Sequence, residues 1–156
     1  MSYMRVEPVF DASVRKLCTR PYARHPRGCP NFAKCSRCPP KVGLLTDVYD
    51  LSRGSWVIWT EFDLGAHVQK MREKHPNWSA AQLECCLYWQ GIARKKLALE
   101  IGKFRVLYPA CTVTTTPEAM GLNVTETMSR CGIVLEWPPV NTTVLVAFAA
   151  VDKNNL

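Results

Sequence analysis

The sequence predicts a single α/β (or α+β) domain, a mixed sheet with helices, preceded by an irregular N-terminal cysteine loop. Three observations lead there. A chain of 156 residues suits about one domain and is long enough to bury a core. From residue 55 onward, β-rich runs alternate with helical patterns. Before residue 47, prolines at 8, 21, 26, 30, 39 and 40 and glycines at 28 and 43 leave little periodicity. A loop that long inside a compact domain needs another source of order, and ligand bonds to a metal can replace a missing apolar core. The domain, 1–156, therefore divides into a basic, cysteine-rich, metal-binding segment, 1–46, and an α/β core, 55–151.

Taken in order, residues 55–62 (Ser-Trp-Val-Ile-Trp-Thr-Glu-Phe) read as a buried strand. Asp63 then caps a helix over 64–75, which gathers Lys70, Arg72, Lys74 and His75 near its end and meets Pro76 beyond it. Ser79 with Gln82 forms a capping box, and Trp78 and Leu83 occupy the hydrophobic-staple positions. That second helix is expected to run to about Ile101, with Cys86, Trp89, Ala93, Leu97 and Ile101 on one face and Gly102 at its end. Residues 104–108 read as a short strand delivering Cys111. Thr116, Pro117 and Glu118 then look like a cap, a first-position proline and an early acid. A short helix over 125–131 stops at Gly132, and strands at 133–136 and 143–151 complete the sheet.

Composition narrows the class. With 47% hydrophobic and 21% charged residues, the chain is neither disordered nor fibrous. No apolar run reaches membrane-spanning length, and residues 1–10 lack the apolar core of a secretory signal. A cytoplasmic location with no membrane association is the expectation, and there thiols stay reduced and free for metal. Eight cysteines stand at 18, 29, 35, 38, 85, 86, 111 and 131, half of them within 21 residues. That crowding, without an export signal, argues against a disulfide framework. Residues 12–46 hold Arg15, Lys16, Arg20, Arg24, Arg27, Lys34, Arg37 and Lys41 and no acid. The whole chain nets +7, so everything outside this stretch is close to neutral.

Cys18, Cys29, Cys35 and Cys38 are spaced C-x10-C-x5-C-x2-C. Thiolates at that density suit zinc or an iron–sulfur cluster of the 4Fe–4S type. Structural zinc sites usually offer two close pairs, and here there is one, so the cluster is favoured. Prolines directly after Cys29 and Cys38 resemble the Cys-Pro ending of ferredoxin cluster runs. Eight cations would lower the thiol pKa values and offset the negative charge of a cluster. His25 between Arg24 and Pro26 reads as a solvated loop residue.

The run Cys29-Pro-Asn-Phe-Ala-Lys through Cys38-Pro-Pro resembles the C-P-x-[YF]-G-x4-C-P-P signature of an uncharacterised family of predicted cysteine-rich metal-binding proteins. A second stretch, Glu118-Ala-Met-Gly-Leu-Asn-Val124, followed by Thr127 and Gly132, is similar to that family's E-A-x-G-I-D-V and its closing glycine. Ala33 stands at the family's glycine and Asn123 at its aspartate, and Cys111 alone represents its second cysteine cluster. The resemblance implies one metal centre, iron–sulfur, built from Cys18, Cys29 and Cys38. Its fourth ligand would come from Cys35, Cys111 or outside the protein. It implies no known reaction.

Cys86 and Cys131 read as packing residues, and adjacent Cys85 and Cys86 cannot easily face one metal from a helix. Cys111, expected beyond a strand's end, is a candidate ligand or reactive thiol. The threonines of 112–116 read as a β-rich loop. No phosphate loop, Ser/His/Asp set or H-E-x-x-H motif is present, so no catalytic residues are assigned. Three functions follow. The first is an iron–sulfur protein with a redox or sulfur-handling role on an anionic substrate. The second is a zinc-stabilised nucleic-acid-binding module, in which Arg20, Arg24, Arg27, Lys34, Arg37 and Lys41 track phosphates while Tyr22 and Phe32 stack on bases. The third is a partner-binding protein whose metal is purely structural.

Overall fold

The stretch 143–151 is apolar at nearly every position, which a strand tolerates only with both faces covered. The computed structural model, which describes residues 2–21 and 25–155, meets that condition. In chain order come strand β1 (Tyr3–Arg5), a 3-10 helix (Ala12–Thr19), the turn α1 (Leu45–Val48), strand β2 (Tyr49–Asp63) and helices α2 (Leu64–Lys74) and α3 (Ala80–Leu83). Helix α4 (Gln90–Leu107), strand β3 (Cys111–Thr114), a 3-10 turn (Pro117–Met120), helix α5 (Val124–Arg130) and strand β4 (Thr142–Asp152) follow. The sheet order is β1-β2-β4-β3 with every pairing antiparallel. The predicted single domain of sheet and helices is thus of the α+β kind, its sheet antiparallel rather than mixed.

Side chains alternate across β4 and each face finds its own cover. Val146, Phe148 and Ala150 pack with Leu122 and Met128 on one side. Ala147, Ala149 and Val151 pack with Leu97, Ile101 and Phe104 of α4 on the other. The small residues at 147 and 149 leave room for the larger side chains of the helix.

Capping was readable, and helix length was not. Asp63 accepts from the Ala66 N–H at 2.8 Å, and the Ser79–Gln82 box forms reciprocally, as predicted. The helix it starts is a single turn, however. The Trp89 indole N–H donates to the Glu84 carbonyl at 3.1 Å while its ring stacks on Phe62 at 5.3 Å. That carbonyl is diverted from the helical ladder, and a 3-10 turn, Cys86–Tyr88, intervenes before α4. Helix α4 then passes through Gly102, so the predicted strand 104–108 is helical. Ala93, Leu97, Ile101 and Phe104 form one buried stripe, and that 3.6-residue period outweighs the β-rich composition of its last turns. Cys86, expected in the core, is exposed, because the break turns it outward.

The predicted strand 133–136 is irregular. Ile133 and Leu135 pack on the core without a strand partner, and the Glu136 carboxylate instead accepts from the Asn141 and Thr142 N–H groups. Strand β2 begins six residues earlier than expected, with a break in register between Asp50 and Ser55. Helix α5 starts at Val124, one residue early, because Asn123 serves as its cap, accepting from the Glu126 N–H at 3.0 Å. No helix among the described residues is long and apolar enough to cross a membrane.

The first 46 residues, expected to be irregular, contribute a strand and a 3-10 helix whose approach is dictated from far along the chain. The fully buried Thr127 hydroxyl accepts from the Val9 N–H at 3.0 Å. The Asn123 N–H donates to Val9 and the Asp11 N–H to Gly121, each at 2.8 Å. Gly121 has φ +90°, and a Cβ there would lie 2.8 Å from the Phe10 ring. Only glycine allows this docking, which aims the Ala12–Thr19 helix, and Cys18 with it.

Candidate metal centre

Asp11 caps the Ala12–Thr19 helix, accepting from the Ser13 N–H, and Arg15 ties that helix to the Val42 carbonyl at 2.7 Å. Cys18 sits in its last turn. Its carbonyl accepts from the Cys29 N–H at 2.8 Å, so the two cysteines that stand apart in sequence become neighbours. Gly28 makes this approach possible. Its φ is +80°, and a Cβ would fall 2.6 Å from the Cys18 carbonyl oxygen. Beyond Cys29 the chain is a series of turns. Phe32 N–H donates to Cys29, Ala33 N–H to Pro39, Cys38 N–H to Cys35 and Val42 N–H to Cys38. Of these residues only Gly28 and Pro39 are buried, so backbone hydrogen bonds hold the segment together rather than a core of its own.

The thiols of this segment sense one another. Burial pushes the Cys38 thiol up, and charge on Cys35, Cys29 and Cys18 adds to the shift. Burial likewise raises Cys18, reinforced by Cys29 and Glu118 and opposed by Arg15. Cys35 is held below the usual thiol range by the Arg37 backbone N–H, then by the Arg37 side chain, with the Cys38 thiol as a further donor. One orphan belongs to the same neighbourhood. Arg15 Nε is buried without a hydrogen-bond acceptor, and thiolate or sulfide sulfur would supply one. Among the described residues no three His, Cys, Asp or Glu side chains form a ready-made ligand set. The convergence lies in the backbone and in the charges.

Ala33, exposed, has φ +59° and is the one non-glycine described residue in the left-handed region. Ala33→Gly should remove that strain and stabilise the protein by about 0.5–1 kcal/mol, seen as a higher urea midpoint at unchanged slope. A lower midpoint would mean the turn is not strained.

Cys35, Arg37 and Cys38 line a cleft of about 610 Å³, whose other walls are α4, the start of β4 and residues 115–118. The Thr116 hydroxyl donates to the Arg37 carbonyl at 3.4 Å, joining the cysteine segment to the chain before the Pro117–Met120 turn. Glu118 is crowded by protein, which pushes its carboxyl up, yet its side chain remains open to the cleft. From α4 come Gln90 and Arg94, which sequence reasoning passed over. Arg94 begins an Arg-Lys-Lys run that reads as a solvated helix face, and no local pattern distinguishes it.

The other expected residues scatter. Cys111 opens β3 opposite Val151 and is buried among Ile58, Leu97, Ile101 and Phe104, where burial raises its thiol. The strand expected before it is helical, so β3 starts with Cys111 instead of following a strand, and its side chain turns into the α4 core. Cys131 packs against the opposite core, as expected. Arg20, Arg27, Lys34 and Lys41 are exposed, and Lys41 Nζ donates to the Lys34 carbonyl. Phe32 is half-buried, while Arg24 and Tyr22 lie outside the described residues. No protein-family model, curated protein or solved structure matches the chain.

Proposed function

We propose that this protein carries one iron–sulfur cluster on Cys18, Cys29, Cys35 and Cys38 and uses it in a redox or sulfur-handling role on an anionic substrate. One observation carries the reading. Glu118, which opens the second stretch of the family resemblance, lines the same cleft as Cys35 and Cys38 of the first, some 80 residues away in sequence, while residues 121–127 dock the 9–11 segment that leads to Cys18. The buried, acceptor-less Arg15 Nε beside Cys18 supports it further. A bound cluster supplies electron transfer or a Lewis-acidic iron. The chain's own residues position the thiols, offset charge through Arg15 and Arg37, and open the centre onto the cleft through Cys35 and Cys38.

The test is a pair of variants purified without oxygen. Cys29→Ser should lose metal, at least tenfold in retained iron by the scale of ligand-shell losses (about 10–100-fold). Cys85→Ser, in the turn before α4, should retain it. Full metal in Cys29→Ser would overturn the ligand assignment.

A further inference from the structure

The cleft beside Cys35 and Cys38 has a chemistry of its own. Its lining includes two arginines, Arg37 from the cysteine turn and Arg94 from the first turns of α4, together with Thr115 and Thr116. The same lining includes apolar residues, Leu97 and Ile101 of α4 and Val144, Leu145 and Val146 of β4. The one ion pair among the described residues joins Lys103 to Glu100, so neither arginine is ion-paired to a carboxylate. A guanidinium without a carboxylate partner in a concave site matches a planar or tetrahedral oxyanion through its fork of N–H donors. Apolar lining in the same cavity matches a hydrocarbon body.

We propose that this cleft binds a small amphipathic oxyanion, its phosphate or carboxylate headgroup on Arg37 and Arg94 and its apolar body against Leu97, Ile101 and Leu145. The assignment names the substrate class of the centre proposed above. It rests on that reading for the chemistry performed, and not for binding itself. Glu118, the one acid in the lining, is the residue whose charge would oppose the headgroup. Arg94 sets specificity because it reaches the cleft from the rigid helix rather than from the turns. Its substitution leaves the buried stripe of α4 intact.

Isothermal titration with octyl phosphate, octanoate and octan-1-ol, each below its micelle-forming concentration, tests this on the full chain. At least one of the two anions should bind about tenfold or more tightly than the alcohol, and the tighter anion identifies the headgroup. Arg94→Gln should weaken that anion about tenfold or more, as loss of a charge-assisted hydrogen bond requires. Arg105→Gln, which removes the same charge from an exposed site later on the helix, should change it less than about twofold. Octan-1-ol binding as tightly as both anions, or equal effects of the two substitutions, would overturn the proposal. Iron, sulfide and zinc are measured on the same samples. Arg94-dependent binding without metal upholds the oxyanion site and sinks the cluster; metal without Arg94-dependent binding does the reverse.

Discussion

On the proposed four-cysteine centre, Gly28→Ala should strip the metal while leaving the sheet and helices folded. Left-handed φ costs an alanine about 1–2 kcal/mol. The larger penalty is steric. The new Cβ would stand 2.6 Å from the Cys18 carbonyl oxygen and 2.8 Å from the Thr19 carbonyl carbon, and backbone cannot rotate out of the way. Cys29 must then move from Cys18, breaking the 2.8 Å hydrogen bond that joins them. Metal affinity is folding free energy for a segment without its own core, so a ligand displaced by an ångström is felt in full. We expect at least about 10–100-fold weaker retention, the scale of losses on disturbing a ligand shell. Gly91→Ala is the control, since a Cβ there meets nothing within 4 Å. Metal content after gel filtration and the urea midpoint, measured on both variants, separate the effects. Full metal in Gly28→Ala would remove the Cys18–Cys29 junction from the centre.

Phe104→Ala should destabilise the whole domain by about 3–5 kcal/mol in urea unfolding. Phe104 is fully buried in α4. Its ring stacks on Tyr108 at 4.7 Å, meets Tyr3 edge-on at 5.4 Å and lies 6.0 Å from Trp56. It therefore joins the first strand, the central sheet and the end of the long helix. Rings held on β1, β2 and α4 cannot converge on the space a deleted phenyl leaves, so the cavity persists. Phe104→Leu, which fills most of that space, should cost much less. A loss under about 1 kcal/mol for alanine would show that the end of α4 does not pack on the sheet.

Much of the fold could be read from local patterns because local forces decide those parts. Asp63 and Ser79 cap where they stand, and 143–151 is too apolar to be anything but a central strand. The misreadings share a cause: a distant partner overrode a local signal. Phe62 drew Trp89 inward, its indole took the Glu84 carbonyl, and a predicted long helix broke there. Gly102 looked like a terminus, but Phe104 had the sheet to bury against, so the helix continued. The site divides in the same way. Cysteine spacing and charge single out the segment, since both are written between residues 15 and 41. Arg94 and the cleft were not legible, because an arginine on a helix acquires meaning only when another segment folds opposite it. The docking of 9–11 on 121–127 was equally invisible: a buried Thr127 and a left-handed Gly121 look ordinary until Val9 and Phe10 lie on them.

The most direct test of the proposed four-cysteine centre is the metal and sulfide content of the protein purified without oxygen, read together with its visible spectrum. A 4Fe–4S centre predicts about four iron and four sulfide per chain with broad thiolate-to-iron charge-transfer absorption that reductant bleaches. A colourless protein holding one zinc, or no metal at all, would contradict it.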